Sequence, residues 1–138
     1  MMGGLPAALP RALIGLVLLA TGLAKLQDMP GFQAVLATYR AVPGALLAPA
    51  AWAVALGELG LAAWLASGHR LRRAALASAA LHGVYLGWAA TALGRAVPVA
   101  NCGCFGVFWA RPLSAMTLLE DAAMIALSLL LARLAARP

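Results

Sequence analysis

The sequence predicts an all-α integral membrane protein, a polytopic bundle of four spanning helices. Of its 138 residues, 64% are hydrophobic and 10% are charged, and the mean hydropathy is +0.93. A soluble domain of this length needs more polar surface to cover its core. Residues 74–94 contain no Asp, Glu, Lys or Arg, and a helix of that length crosses ~30 Å of hydrocarbon. The apolar segments do not alternate with a period of two, so helices are expected and a β-barrel is not.

Four spans are predicted, at about residues 10–25, 46–67, 74–93 and 113–134, and they form a single domain over residues 1–138. The first span is short, so either residues 5–9 join its helix or the flanking basic side chains snorkel towards the headgroups. A cleaved signal peptide is the competing interpretation of this segment. The weakly charged start and the three spans that follow favour a retained helix.

A short helix is predicted between the first and second spans. Asp28 is placed to cap its N-terminus, with Pro30 in the first turn. The apolar residues that follow fall on one helical face: Phe32, Val35, Leu36 and Tyr39. This pattern predicts a helix that lies in the membrane interface, and a plain loop is the alternative.

The basic residues divide into two sets according to the spans they flank. The set on the side of the termini is Arg11, Arg70, Arg72, Arg73, Arg133 and Arg137, and the opposite set is Lys25, Arg40, Arg95 and Arg111. The larger set is expected to be cytoplasmic, which places both termini inside the cell and the loop after the third span outside the cytoplasm. The net charge of +6 then indicates contact with the lipid bilayer, and nucleic acid is not an expected partner.

Both cysteines of the chain lie in that loop, in the stretch NCGCFG at residues 101–106. A Cys102–Cys104 disulfide that only tightens the loop would close almost no chain and would be strained. A redox pair is favoured instead, because a strained, exposed disulfide accepts electrons readily. The third interpretation is a soft ion such as Hg(II), Cu(I) or Zn(II), although a stable site needs more than two ligands; no resident metal is expected.

The residues around the pair fit redox chemistry. Gly103 and Gly106 give the backbone torsional freedom on both sides of the second cysteine and Phe105. Arg95 and Arg111 flank the loop, and a nearby positive charge lowers the pKa of a thiol. A compartment outside the cytoplasm is one in which disulfides form.

Four segments of this chain match the pattern of a known family. They are Gly22-Leu23-Ala24-Lys25, Tyr39-Arg40-Ala41-Val42-Pro43, Glu58, and Cys102-Gly103-Cys104-Phe105-Gly106. On these segments the chain resembles the MauE-type methylamine-utilisation membrane proteins of the wider DoxX-like group, and the cysteine motif is the specific part. The resemblance implies a four-helix membrane protein, often paired with an extracytoplasmic thioredoxin-like partner. It also implies a link to maturation of disulfide-rich secreted proteins, such as the small subunit of methylamine dehydrogenase. Where the family commonly has a basic-polar pair, this chain has Glu120-Asp121.

Several polar residues fall inside the predicted spans. Glu58 and His82 lie at similar depth near the middle of the second and third spans, where an ionised side chain needs a partner. A Glu58–His82 pair is predicted, either to handle the protons that thiol oxidation releases or to fix helix packing. Tyr85, one turn from His82, lines a quinone or substrate cleft or is simply packed.

Asp121 is expected to form an ion pair that ties the fourth span to the loops. Its partner is Lys25, Arg40 or Arg111, all predicted on the same side of the membrane. Adjacent residues of a helix point in different directions, so Glu120 and Asp121 are not expected to act as one dyad.

The favoured function is thiol–disulfide exchange between the Cys102/Cys104 pair and a thioredoxin-like or secreted protein, at the cell (inner) membrane. The familiar quinone-coupled oxidases use two cysteine pairs, and this chain has one. Either a quinone reoxidises this pair directly, or the pair moves between the membrane faces, and no other cofactor is required. A mercuric-ion type transporter and a non-catalytic assembly factor remain the alternatives.

Overall fold

The computed structural model describes residues 4–136, and this part of the chain is all-helical. The helices are α1 (Leu5–Gln27), α2 (Met29–Thr38), α3 (Gly44–Ser67), α4 (Leu71–Gly94) and α5 (Ala115–Leu134). All except α2 are long and apolar enough to cross a membrane. The predicted all-α class with four spans is therefore confirmed. Arg137, counted above among the basic residues, lies outside the described residues.

The spanning helices differ from the predicted spans mainly at their ends. α1 begins at Leu5, so residues 5–9 join the first helix and lengthen it. Arg11 then lies beside the C-terminus of α3, where its guanidinium donates to the carbonyls of Leu65 (2.7 Å) and Ala66 (2.6 Å). The last carbonyls of a helix lack intrahelical donors, so this side chain stabilises the α3 terminus and joins it to α1.

The helices pack mainly as two pairs, α1 with α3 and α4 with α5, and the pairs meet where α1 contacts α5 and α3 contacts α4. Gly22 allows the close approach of α1 to α3, because a Cβ there would lie 2.8 Å from Leu59 Cγ. Within the second pair, Ser78 and Ser128 are fully buried and share a 2.9 Å hydrogen bond between their hydroxyl groups. A polar link of this kind helps hold helices together where the surrounding solvent is hydrocarbon.

The main apolar cluster lies at the end of the bundle that carries the described N- and C-terminal segments. It consists of Ala7, Ile14, Leu18, Leu61, Ala62, Leu65, Leu71, Ala74, Ala75, Leu131 and Ala132. At the opposite end the buried residues form two smaller clusters, one under α2 and one under the loop after α4. The interior is therefore packed most continuously at one end, and polar groups and a cavity lie nearer the other.

α2 forms where the sequence predicts a short helix. The Asp28 carboxylate accepts a 2.9 Å hydrogen bond from the Gly31 backbone N–H, as an N-cap does. Phe32, Val35 and Tyr39 from the predicted apolar face are buried. α2 packs against α3 and covers the end of the bundle next to the cysteine loop.

The segment between α4 and α5 folds back on the bundle. Its two arms are joined by hydrogen bonds from Cys102 N to Arg111 O (2.7 Å) and from Leu113 N to Val99 O (3.0 Å). α5 then starts from a capping box in which Ser114 and Thr117 bond to each other's backbone N–H groups. The loop is thus closed at its base before the chain enters the last span.

Candidate functional site

The two cysteines lie side by side at the tip of this loop. Their sulfur atoms are 2.9 Å apart, and neither cysteine forms a disulfide in the structure. Cys102 is 8% exposed, whereas Cys104 is partly exposed. The loop therefore already holds the two sulfurs at a separation from which a disulfide can form without a large movement of the backbone.

Two glycines and an asparagine give the cysteine loop its shape. Gly103 has φ +81°, and a Cβ there would lie 2.9 Å from Val35 Cγ1; Gly106 has φ +61°, and a Cβ there would lie 3.0 Å from the Ala24 carbonyl oxygen. Both positions favour glycine for conformation and for space. Asn101 spans the turn, because its amide donates to the Gly106 carbonyl and its oxygen accepts from the Gly103 N–H, each at 3.0 Å.

The carbonyl groups of both cysteines are held by side chains from other parts of the chain. The Tyr39 hydroxyl donates to the Cys102 carbonyl at 2.6 Å, and the Lys25 ammonium donates to the Cys104 carbonyl at 2.8 Å. Sequence reasoning did not predict either bond. The signal available was that both residues belong to the segments that carry the family resemblance.

A buried ion pair connects the loop to the interior of the bundle. Lys25 Nζ lies 3.0 Å and 2.9 Å from the two carboxylate oxygens of Glu58, and the two side chains are only 4% and 2% exposed. Glu58 also accepts a 2.7 Å hydrogen bond from the Tyr85 hydroxyl. A continuous chain of hydrogen bonds therefore runs from Cys104 through Lys25 and Glu58 to α4, and every charge in it is compensated.

The predicted ion pairs of Asp121 are wrong. Lys25 pairs with Glu58, and the guanidinium of Arg111 makes a two-pronged pair with Glu120 at 2.6 Å and 2.8 Å. Within residues 4–136, Asp121 forms no ion pair with Arg40 or any other base. Successive helical residues point about 100° apart, so when Glu120 faces Arg111, the Asp121 side chain turns to a different side of α5.

The predicted Glu58–His82 pair does not form a hydrogen bond either. The Nδ1 atom of His82 lies 2.9 Å from the Ser78 carbonyl oxygen, one turn earlier on α4, while Lys25 and Tyr85 occupy the Glu58 carboxylate. Tyr85 lies one turn further along α4 and reaches Glu58 in place of the histidine. Tyr85 is therefore more than a packed aromatic, because it links α4 to the ion pair.

The two cysteines of the pair differ in the pKa of their side chains. The pKa of Cys102 is lowered to about 6, chiefly because the Cys104 thiol donates a hydrogen bond to its sulfur; burial opposes this shift, and the Arg111 charge assists it. The pKa of Cys104 is raised, because its proton is held by Cys102 and because it is buried. At neutral pH the pair therefore carries one thiolate, on Cys102, and one proton, on Cys104. A thiolate is the form of cysteine that reacts in disulfide exchange.

A cavity of about 340 Å³ adjoins the cysteine pair. Both cysteines, Glu58, His82, Tyr85 and Asp121 are among its lining residues, so the pair and most of the predicted site residues meet at one place. Volumes of this size are typical of small-molecule sites. Within the described range no group of three or more His, Cys, Asp or Glu side chains is arranged to hold a metal ion.

These features define a class of protein: a multi-pass helical membrane protein in which a paired-thiol loop closes over a buried ion pair. The family model described as methylamine utilisation protein MauE matches residues 4–134. The chain belongs to this family, and the resemblance noted from its motifs is confirmed. No curated protein and no solved structure matches the chain.

Proposed function

We propose that this protein is a membrane thiol–disulfide redox protein that exchanges electrons with a thioredoxin-like or secreted protein outside the cytoplasm, during protein maturation. The observation that carries the proposal is the cysteine pair itself. Two sulfurs lie 2.9 Å apart in a loop held by hydrogen bonds from other elements, and one of them is a stabilised thiolate at neutral pH. A loop that served only as a structural connection would not need a reactive thiolate at its tip.

The charges that remain unpaired support a loop outside the cytoplasm. Two of the four basic residues on the loop side, Lys25 and Arg111, are neutralised by Glu58 and Glu120. The exposed basic residues that remain unpaired on that side are therefore Arg40 and Arg95. The opposite end keeps the exposed Arg70, Arg72, Arg73 and Arg133. This distribution, like the count of six basic residues against four, supports an orientation with the termini in the cytoplasm and α2 at the outer interface.

The two sulfurs have different roles in the proposed exchange. When the pair is a disulfide, a partner thiolate attacks Cys104, the more accessible sulfur, and the Cys102–Cys104 bond breaks. Cys102 leaves as a thiolate, which its low pKa favours. The partner's second cysteine, as a thiolate, then attacks the partner's first cysteine sulfur in the mixed disulfide. This step releases Cys104, which takes up a proton. The partner dithiol becomes a disulfide and the pair becomes a dithiol, and the same steps run backwards when the partner is the oxidant.

A trapping experiment tests this function. Cys102→Ser and Cys104→Ser are expressed separately, and mixed disulfides are sought on non-reducing gels and identified by mass spectrometry. We expect an adduct on Cys104 in the Cys102→Ser variant, because the sulfur that would release the partner is absent. The double variant should give no adduct and should lose activity.

Two other outcomes would identify the rival functions. A double variant that keeps full activity, with no adduct from either single variant, would contradict the redox function and indicate an assembly factor. Tight Hg(II) binding and cellular metal sensitivity that both depend on the cysteines, again without an adduct, would indicate a soft-metal transporter.

A further inference from the structure

We propose that the cavity beside the cysteine pair binds the ring of a membrane quinone and its quinol, and that this ring is the electron partner of the pair. The inference rests on the proposed redox function and names the second substrate of the same site. The chain contains only two cysteines, so no other thiol of this chain can reset the pair. A lipid-soluble carrier of two electrons and two protons meets that requirement.

Several hydrogen-bond donors of the cavity lining are already used within the protein. All three N–H donors of Lys25 are used, by Glu58 and by the Cys104 carbonyl, and the Tyr85 hydroxyl donates to Glu58. The Thr21 hydroxyl donates to the Leu18 carbonyl. These three side chains hold the protein together, and none of them has a donor left for a ligand.

The free acceptors are His82 Nε2 and the Asp121 carboxylate; one donor of the lining, Arg111 Nε, also has no partner in the described part of the chain, but it is fully buried. The Ser78 carbonyl can only accept, so His82 Nδ1 carries the proton and Nε2 of the neutral ring has a lone pair. His82 is 5% exposed and lines the cavity, as does Asp121; within residues 4–136 neither Nε2 nor the Asp121 carboxylate has a hydrogen-bond partner. Two acceptors in a largely apolar cavity match a ring that carries two hydroxyl groups, as a quinol does.

The cavity opens on the side of the bundle rather than only at the loop. Two of its lining residues, Val17 and Val84, lie near the middle of α1 and α4 and are 37% and 66% exposed. In a bilayer these positions face hydrocarbon. A ligand with a long apolar tail can therefore enter from the membrane while its ring reaches the cysteines.

The redox step balances in electrons and protons. The reduced pair carries one thiolate and one thiol, so its oxidation releases two electrons and one proton: the Cys104 S–H bond breaks, the Cys102–Cys104 bond forms, and water supplies the second proton. The quinone gains the two electrons, and the protons reach its two oxygens by way of His82 Nε2 and the Asp121 carboxylate. Each group becomes a hydrogen-bond donor once it holds a proton, and so it can bind the carbonyls of the oxidised ring.

The test uses the purified full-length protein in phospholipid nanodiscs, with decylubiquinone and decylubiquinol as probes. The reduced wild-type protein should convert decylubiquinone to the quinol with formation of one disulfide per chain. His82→Asn keeps a side-chain N–H for the Ser78 carbonyl but removes the Nε2 acceptor, and Asp121→Asn removes the carboxylate. We expect each variant to react about 100-fold more slowly, the usual size of a general acid–base effect, and to bind decylubiquinol more weakly.

Two further proteins make the result decisive. Gly57→Ala is the matched control and should react at the wild-type rate, because a Cβ there meets no atom within 4 Å. The double variant Cys102→Ser with Cys104→Ser should still bind decylubiquinol, since both acceptors remain, but should not reduce decylubiquinone. If the wild-type protein neither binds the quinol nor reduces the quinone while the trapping experiment succeeds, the quinone site is wrong and the thiol exchange stands. If trapping also fails, both proposals fall.

Discussion

Lys25→Met is expected to lower the free energy of unfolding by about 3–5 kcal/mol, the usual cost of breaking a buried ion pair by removing one partner. The substitution keeps a side chain of similar length but leaves the Glu58 carboxylate buried without its cation; Glu58 is 2% exposed. It also removes the hydrogen bond to the Cys104 carbonyl, so the cysteine loop should lose order together with the helix contact. Unfolding in detergent micelles, followed by circular dichroism against denaturant, measures the effect.

The matched controls are a double variant and a variant that removes the second ion pair. Lys25→Met combined with Glu58→Leu removes both charges and should recover much of the lost stability, because an apolar pair of similar volume is often neutral relative to a buried ion pair. Arg111→Met should cost no more than about 1 kcal/mol, since the Arg111 and Glu120 side chains are 28% and 42% exposed. A Lys25→Met variant as stable as Arg111→Met would show that the Lys25–Glu58 pair does not organise the fold.

Cys104→Ala is expected to raise the pKa of Cys102 from about 6 towards the ordinary thiol value of about 8.5. The Cys104 thiol supplies the largest stabilisation of the Cys102 thiolate, a hydrogen bond to its sulfur, and alanine removes it. The thiolate fraction rises with pH through the pKa, so the rate of alkylation by iodoacetamide should be half-maximal near pH 6 in a protein that keeps this hydrogen bond. In Cys104→Ala the midpoint should move to higher pH.

Cys104→Ser separates the hydrogen bond from the sulfur. Serine keeps an O–H donor at the same position, so its alkylation midpoint should lie closer to 6 than that of the alanine variant. If serine and alanine give the same midpoint, the Cys102 thiolate is stabilised by something other than a donor at position 104. The hydrogen bond from the Cys104 backbone, which both variants keep, is the next candidate, and the Arg111 charge follows it, because both also lower the pKa of Cys102.

The spanning helices could be predicted because hydropathy and length depend only on local sequence. The short α2 helix could also be predicted, since Asp28 and the apolar face indicate it locally. The ion-pair partners could not be predicted. Which acid pairs with Lys25 depends on the rotation of α3 about its axis and on how closely Gly22 lets α1 approach α3. The charge pattern specifies neither the rotation nor the distance.

Only part of the candidate site could be predicted, because local sequence does not determine how distant segments meet. The spacing of Cys102 and Cys104 indicated directly that their two sulfurs lie together. The anchoring of both carbonyls by Tyr39 and Lys25 joins segments more than 60 residues apart in sequence, and no local pattern encodes it. The free Nε2 of His82 depends on a hydrogen bond along α4, which becomes visible only once the helix and its rotamer are known.

Labelling of the two thiols in intact cells tests the central proposal most directly. Cells that express the wild-type protein are treated with a membrane-impermeant maleimide, with or without a prior impermeant reductant, and the modified cysteines are counted by mass spectrometry. We predict that both Cys102 and Cys104 react with the maleimide after reduction. Without the reductant, a substantial fraction of both cysteines should be protected from labelling, because their sulfurs are joined in a disulfide in the resting cell and are open to the outside. Labelling of both thiols only by a membrane-permeant maleimide, or equal labelling with and without the reductant, would contradict a redox pair that works outside the cytoplasm.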